Sequence, residues 1–491
     1  MKICDIFKNV PEKRGAFGSD TDIRLVGYDS EKAVSGELFV CLKGAVRDGH
    51  DFAQRAYDNG CRAFLCQREL PLPEDAEQII VPDTRAALPT VSADFYGRPA
   101  EKLHVIGITG TKGKTTTALL TAEILNAAGL NCAYIGSNGV IINGEHIETV
   151  NTTPESLYLH SYFNMMVRGG VKYAVLEVSS QALANHRVDG IPFETVAFTN
   201  LSEDHIGGAE HPTFEHYRDS KRRLFTNEYG AKYCVFCADD ACGEYMTEAF
   251  GGTKISFGID SKADWKAENI EKFRDECSLG ISFDCIHGSR SVKTGLMSPG
   301  KFSVYNALCA MAICSVYGVE KDFSATVLKK TTVRGRFEVV PALPGRTVII
   351  DYAHNGLSLT SALKTLREYE PERIICLFGS VGGRTRGRRQ ELAEAASALS
   401  DYVIITADNP DYEDPTEVCS DIASHMQGDT PYEIIPDRYY AIKAAIDMSR
   451  SGDIILLAGK GHETYQLVCG RKVPFSEREA LSEICSALIA N

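Results

Sequence analysis

"GITGTKGKTTT", residues 107–117, is the stretch whose reading decides the fold. The apolar run "LHVIGITG" enters it and "KTTTALLTAEILNAAGL" leaves it. The first reads as a buried strand, the second as a helix stopped at Gly129. Strand, glycine turn and helix form the setting in which backbone N–H groups point at a phosphate. The usual phosphate loop carries a glycine five positions before its Gly-Lys-Thr. Here Ile108 stands at that place, and glycines occupy 107, 110 and 113. The variant loop Gly110, Thr111, Lys112, Gly113, Lys114, Thr115 and Thr116 is expected to bind ATP. Lys114 would reach the β/γ-phosphates, and Thr115 would ligate Mg²⁺.

Working outward, strand-then-loop units repeat at "YAVLEVSS", "TVAFTNLSEDH" and "YCVFCADD". Such alternation predicts a parallel sheet covered by helices on both faces. Ahead of the loop, "GELFVCLKG" and "DFAQRAYDNGCRAFLC" predict a small α/β unit. Near residue 331 the pattern restarts, with "TVIIDYAHN", "RIICLFGS", "DYVIITADNP" and "DIILLAGKGH" as apolar strands running into polar loops. The expected organisation is α/β in three domains: residues 1–99, a central phosphate-loop domain over 100–331, and a Rossmann-like domain over 332–491. Ligands in such sheets bind at the carboxyl ends of strands. Glu177 and His205 both lie past strand ends, a placement suited to a metal bound beside the phosphates. His211 and His216 read as loop and helix residues.

Bulk composition bounds the partners. The chain has 491 residues, a formal net charge of −14 and 44% hydrophobic residues. The acidic balance argues against a nucleic-acid partner. No run of about eighteen apolar residues occurs, so no membrane span is expected. The start "MKICDIFKNV" lacks the apolar core of a secretory leader. The sixteen cysteines follow no disulfide framework, which fits a cytoplasmic protein. Cys234, Cys237 and Cys242 read as a buried strand and its turn rather than a zinc site, because no second ligand pair follows. A monomer is expected.

Taken in order, "GTKGKTT", "NTTPES", "EVSSQAL", "FTNLSEDH", "SVYNAL", "VRGRFEVV", "DYAHN", "TADNP" and "AGKGHETYQ" resemble the motif series of the Mur ligases. With "DSEKAVSGELFVCLKGAVRDGHDF" near the N-terminus, the chain looks like the members that add the third peptide residue. The resemblance runs from about residue 20 to 480. It implies an ATP-dependent amide ligase. The carboxylate of UDP-N-acetylmuramoyl-L-alanyl-D-glutamate would be phosphorylated by ATP, and the resulting acyl phosphate attacked by the amine of a free diamino acid.

By position the resemblance assigns Lys114, Glu177, His205 and Lys221 to catalysis. Thr115, Glu177, His205 and Lys221, the last as a carbamate, would serve Mg²⁺. Asn306, Arg336, Asp351 and His354 would contact ATP. Asp29, Ser30, Thr152, Thr153, Ser179 and Arg187 would contact the nucleotide sugar. Arg384, Asp408, Asn409, Asp411, Gly459 and Glu463 would form the amino-acid pocket. Three positions depart from the family pattern. Gly383 stands where Asp precedes Arg384, and Glu31 replaces the arginine of an Asp-Ser-Arg motif. Asp411 stands where diaminopimelate-adding enzymes carry arginine. An arginine would clasp the second carboxylate of diaminopimelate, whereas an aspartate would attract an ammonium. Asp411 and Glu463 together therefore favour L-lysine over meso-diaminopimelate, with ornithine a further candidate. A folylpolyglutamate synthetase-like ligase and a non-catalytic paralogue are the competing readings.

Overall fold

The computed structural model describes residues 1–15, 20–44, 47–203, 206–207, 210–275, 278–340, 343–383 and 386–489. Two compact units are present: Met1–Lys266 with Leu308–Lys321, and Ala267–Ala307 with Asp322–Asn491. His205 and Arg384 lie outside the described residues.

The first unit opens with a four-stranded parallel sheet of Leu25–Gly27, Glu37–Val40, Ala63–Cys66 and Glu77–Ile80, paired in chain order. Ile3, Phe7, Leu38, Val40, Leu65 and Val91 close its core. The helix Thr84–Phe95 covers this sheet, its first N–H groups capped by Asp83. The strand of the glycine loop, His104–Thr109, is central in a second sheet. It pairs in parallel with Phe193–Phe198 on one side and Tyr173–Glu177 on the other. Beyond these lie Tyr233–Cys237 and Thr253–Gly258 in one direction and Cys132–Gly136 in the other. Every residue of Phe193–Phe198 except Glu194, and all of Cys132–Gly136, is buried. A parallel strand covered by helices on both faces reads as such an unbroken run. "YCVFC" is accordingly the strand Tyr233–Cys237.

This strand order decides where the chemistry sits. The ends of Tyr173–Glu177 and Phe193–Phe198 flank the glycine loop, so Glu177 falls on one side and Thr199–Ser202 on the other.

In the second unit a sheet runs in the order Glu338–Val340, Thr347–Asp351, Ile454–Ala458, Ile374–Phe378, Tyr402–Ile405, Tyr432–Ile434. All pairs are parallel except the first. The four apolar runs predicted from sequence are its four inner strands, buried almost throughout. Each fully buried Leu or Ile side chain contributes about 1.5–3 kcal/mol. The polar residues that follow these strands therefore sit on a stiff edge. Two antiparallel pairs add to the sequence expectation: Leu279–His287 with Arg290–Leu296, and Tyr465–Val468 with Arg471–Pro474.

No helix among the described residues is long and apolar enough to cross a membrane.

Candidate functional site

The loop after Thr109 turns on Gly110, whose φ is +150°. A Cβ there would stand 2.0 Å from Thr199 Oγ1 and 3.0 Å from the Asn200 carbonyl oxygen, so no side chain fits. Thr111 N donates to the Asn200 carbonyl at 2.8 Å, and Lys112 N to Asn200 Oδ1 at 3.0 Å. Thr199 Oγ1 and Asn200 Nδ2 both donate to the Lys112 carbonyl, at 2.7 and 2.9 Å. Tyr217 and Ser202 hold Thr111 Oγ1 in turn. The helix Lys114–Ala127 starts after left-handed Gly113 and has no side-chain cap. Its leading N–H groups and positive dipole end therefore suit an anion.

Two lysine side chains converge here. Lys114 Nζ donates to the Gly110 and Thr111 carbonyls at 2.9 and 3.0 Å. Lys221 Nζ, on the helix Phe214–Arg222 and 1% exposed, donates to the same Gly110 carbonyl at 2.9 Å. Beside them Thr115 Oγ1 donates to Glu177 Oε2 at 2.8 Å. Glu177 is wholly buried, and its other oxygen accepts the Tyr134 hydroxyl at 2.5 Å and the Ser137 N–H at 2.9 Å. A hydroxyl and a carboxylate within hydrogen-bond distance form a hard oxygen pair of the kind Mg²⁺ takes. The residues present therefore fit that ion.

Next to Glu177 is a second polar group. Thr153 Oγ1 donates to the Glu177 carbonyl at 2.7 Å and accepts from Ser179 N at 3.0 Å. Thr152 Oγ1 lies 3.0 Å from Ser137 Oγ. Arg187 donates through Nε to Glu155 at 2.8 Å and through Nη1 to the Thr153 carbonyl at 3.1 Å. Arg85, on the helix Thr84–Phe95, reaches the same Glu155 oxygen at 3.5 Å. Tyr28 lies edge-on to Tyr158, and burial pushes its phenol well above the usual range. Thr152, Thr153, Ser179 and Arg187 are thus brought together. Asp29 follows Tyr28 and pairs with Lys32, while the Ser30 carbonyl accepts from Asn59 Nδ2.

The second unit gathers another set. Asp351 Oδ2 accepts the Phe337 N–H at 2.8 Å. Burial pushes its carboxyl up, against the pull of that N–H and of Arg336. The Arg336 guanidinium sits 4.7 Å from the centre of the Tyr352 ring. His354 Nδ1 donates to the Tyr352 carbonyl at 2.9 Å, and burial pulls the imidazole toward its neutral form. Asn306 is buried on the helix Lys301–Val316. Buried Lys460 Nζ joins Asn409 Oδ1 at 2.9 Å, Glu463 Oε2 at 2.8 Å and Asp408 Oδ1 at 3.4 Å. Asn409 Nδ2 also donates to Glu463 at 3.0 Å. Gly459, φ +112°, approaches Asp408 where a Cβ would stand 3.1 Å from its Oδ2. Asp411, with φ +53°, accepts the Gly470 N–H at 2.7 Å through Oδ1 and so ties its loop to the turn of the hairpin Tyr465–Pro474. The two carboxylates expected to face an ammonium, Asp411 and Glu463, each already hold a partner within the protein. Sequence reasoning passes over Tyr134, Ser137, Glu155, Tyr217 and Lys460. Only Lys460 carries a local signal, between the glycines of "AGKGHE".

A glycine loop on a parallel α/β sheet, with convergent lysines and a buried hydroxyl–carboxylate pair, is the arrangement of a phosphate-loop protein. Family profiles match along the chain: "Mur ligase family, catalytic domain" over residues 22–96, "Mur ligase middle domain" over 108–314 and "Mur ligase, glutamate ligase domain" over 335–461. The chain is 38% identical over 469 residues to a UDP-N-acetylmuramoyl-L-alanyl-D-glutamate--2,6-diaminopimelate ligase of Clostridium botulinum, covering 94% of this chain and 95% of that one. It is 39% identical over 477 residues to the ligase of that name from Bacillus cereus, covering 96% and 95%. A solved structure under the same ligase name superposes over 100% of both chains, with 27% identity and a TM-score of 0.71. The fold is also that of the MurF ligase of Thermotoga maritima in complex with ADP, at 16% identity, a TM-score of 0.62 and coverage of 96% and 98%. The chain belongs to the Mur ligase family and is an ATP-dependent acid–amino-acid ligase.

Proposed function

We propose that the protein joins a free diamino acid to UDP-N-acetylmuramoyl-L-alanyl-D-glutamate, with ATP as the phosphate donor, acting as a cytoplasmic monomer. The observation that carries this is the meeting of Lys114 Nζ and Lys221 Nζ on the Gly110 carbonyl, beside the Thr115–Glu177 pair. A second support is the name shared by the relatives, which are 38–39% identical over nearly the whole chain. The described cysteines are all free thiols, most of them buried, which agrees with a reducing compartment.

In this reading segments 1–99, 100–331 and 332–491 are the nucleotide-sugar, ATP and amino-acid domains. The leading N–H groups of helix Lys114–Ala127 and the loop from Gly110 to Thr116 cradle the ATP phosphates. Lys114 leaves its two carbonyl partners to follow the γ-phosphate as charge moves onto the leaving ADP. Thr115 and Glu177, with His205, would hold Mg²⁺, which when bound screens the phosphates from the attacking carboxylate. Asn306, Arg336, Asp351 and His354 are assigned to ATP. Lys221 is assigned as a carbamate: its neutral amine adds to CO₂ and loses one proton. Thr152, Thr153, Ser179 and Arg187, with Asp29 and Ser30 further along, hold the acceptor. Its carboxylate takes the γ-phosphoryl group, and ADP is released from the phosphorus. The amine of the amino acid then attacks the acyl carbon, the C–O bond to phosphate breaks, and the amine proton goes to solvent or a nearby base.

Arg384, Asp408, Asn409, Asp411, Gly459 and Glu463 are assigned to the amino acid. L-Lysine is the substrate favoured by a carboxylate at 411, where a guanidinium would be needed to clasp a second carboxylate. The second reading is diaminopimelate. It is favoured by the relatives' names and by the hold of the Gly470 N–H on Asp411. Incubating the chain with each amino acid and weighing the product separates the two. A diaminopimelate product with no lysine product would overturn the argument from position 411.

A further inference from the structure

Glu177 is held from two directions by groups of different kinds. Its Oε2 faces Thr115 Oγ1 at 2.8 Å, while its Oε1 accepts the Tyr134 hydroxyl at 2.5 Å and the Ser137 N–H at 2.9 Å. Tyr134 is 1% exposed and lies on the strand Cys132–Gly136, which pairs with the strand that ends at Glu177. Its oxygen also accepts from Asn138 N at 3.2 Å, so the phenol is itself fixed. Gly136 makes this meeting possible. A Cβ at that position would lie 2.1 Å from Glu177 Oε1 and 2.3 Å from the Tyr134 hydroxyl oxygen.

A lone buried carboxylate can turn about its last carbon–carbon bond. Two donors on one oxygen remove that freedom and aim the other oxygen. The partners behind a metal-binding carboxylate typically change metal affinity by about 10–100-fold when removed. We infer that Tyr134 is a positioning residue for the metal: its hydroxyl, with the Ser137 amide, locks Glu177 so that Oε2 and Thr115 Oγ1 form one face toward Mg²⁺. This rests on the reading of Glu177 as a metal-binding carboxylate. Tyrosine contributes only its oxygen to the effect. Phenylalanine keeps the ring packed in the sheet and removes the donor alone.

The test is a Mn²⁺ titration of the full-length, ADP-bound protein, reading free Mn²⁺ by its paramagnetic resonance signal, with thermal unfolding recorded alongside. Tyr134→Phe is expected to weaken Mn²⁺ by about tenfold or more, with ADP affinity in the absence of metal unchanged. Glu177→Gln runs beside it. If Glu177→Gln weakens Mn²⁺ while Tyr134→Phe stays within about twofold of the parent, the inference is overturned and the site reading survives. A fall in unfolding temperature for Tyr134→Phe without loss of Mn²⁺ affinity likewise overturns the inference, since it marks a structural role only. Tighter Mn²⁺ binding in Tyr134→Phe overturns it too, because the phenol would then be competing with the ion. If Glu177→Gln itself leaves Mn²⁺ binding intact, the site reading fails first and takes the inference with it.

Discussion

Removing Arg438 should destabilise the second unit in a way that depends on pH. Its guanidinium is 1% exposed at the start of the helix Arg438–Met448. Nε and Nη2 donate to Glu477 Oε1 at 2.9 and 2.7 Å, Nη1 to the Ala407 carbonyl at 3.1 Å, and Nη2 to the Ala458 carbonyl at 2.8 Å. Glu477 is 2% exposed, and its Oε2 is buried with no hydrogen-bond partner among the described residues. Burial pushes its carboxyl up, and Arg438 opposes that. Arg438→Met removes the larger part of that opposition, leaving only the more distant Lys460, and strands a buried carboxylate, a loss of about 3–5 kcal/mol. The sign with pH follows. The folded parent already holds the Glu477 proton more tightly than the unfolded chain, and without Arg438 it holds it more tightly still. The resulting stability is complete below about pH 4.3 and fades as pH rises. The deficit of Arg438→Met relative to the parent should therefore widen from pH 5 to pH 8.

The assay is denaturant unfolding of the full chain by circular dichroism at both pH values. Arg438→Met/Glu477→Leu is the partner variant. It should recover part of the loss, since neither charge of the pair is left buried, yet the Ala407 and Ala458 carbonyls would still lose their guanidinium donors, at about 1–3 kcal/mol. A deficit below about 1 kcal/mol for the single variant, or one that does not change with pH, would refute the reasoning.

Lys114→Ala should lower kcat by at least about 10²-fold, as loss of a donor to developing charge commonly does; retained full activity in a steady-state phosphate-release assay would remove the loop from the mechanism. Gly110→Ala forces a Cβ to within 2.0 Å of Thr199 Oγ1. It should abolish ATP binding by calorimetry while far-ultraviolet circular dichroism stays unchanged. Asp411→Arg should raise KM for lysine and improve use of diaminopimelate; unchanged kinetics for both would show that position 411 does not read the amino acid.

The strands are legible because parallel strands buried on both faces are written as unbroken apolar runs. "IICLF" and "IILLA" are buried at every residue. The placement of Lys114, Thr115 and Glu177 is legible for a related reason, since each stands where a strand or loop ends on the carboxyl edge of the sheet. What cannot be read is contact across long stretches of chain. Tyr134 meets Glu177 across 43 positions and Arg187 meets Glu155 across 32. Nothing local in "CAYIG" marks its tyrosine as a donor to a distant carboxylate. Asp411 teaches the converse. Its charge is visible in the sequence, but the hold of its carboxylate on a hairpin turn 59 positions away is not.

The central claim is amide-bond formation at the expense of ATP, and product mass tests it most directly. The purified chain would be mixed with ATP, Mg²⁺, UDP-N-acetylmuramoyl-L-alanyl-D-glutamate and one amino acid at a time, with inorganic phosphate measured in parallel. The account predicts a nucleotide-sugar product heavier by one lysine residue, with one phosphate released per product and none when any reactant is omitted. Phosphate release from ATP alone, or no amide product with any amino acid while the acceptor binds, would contradict it.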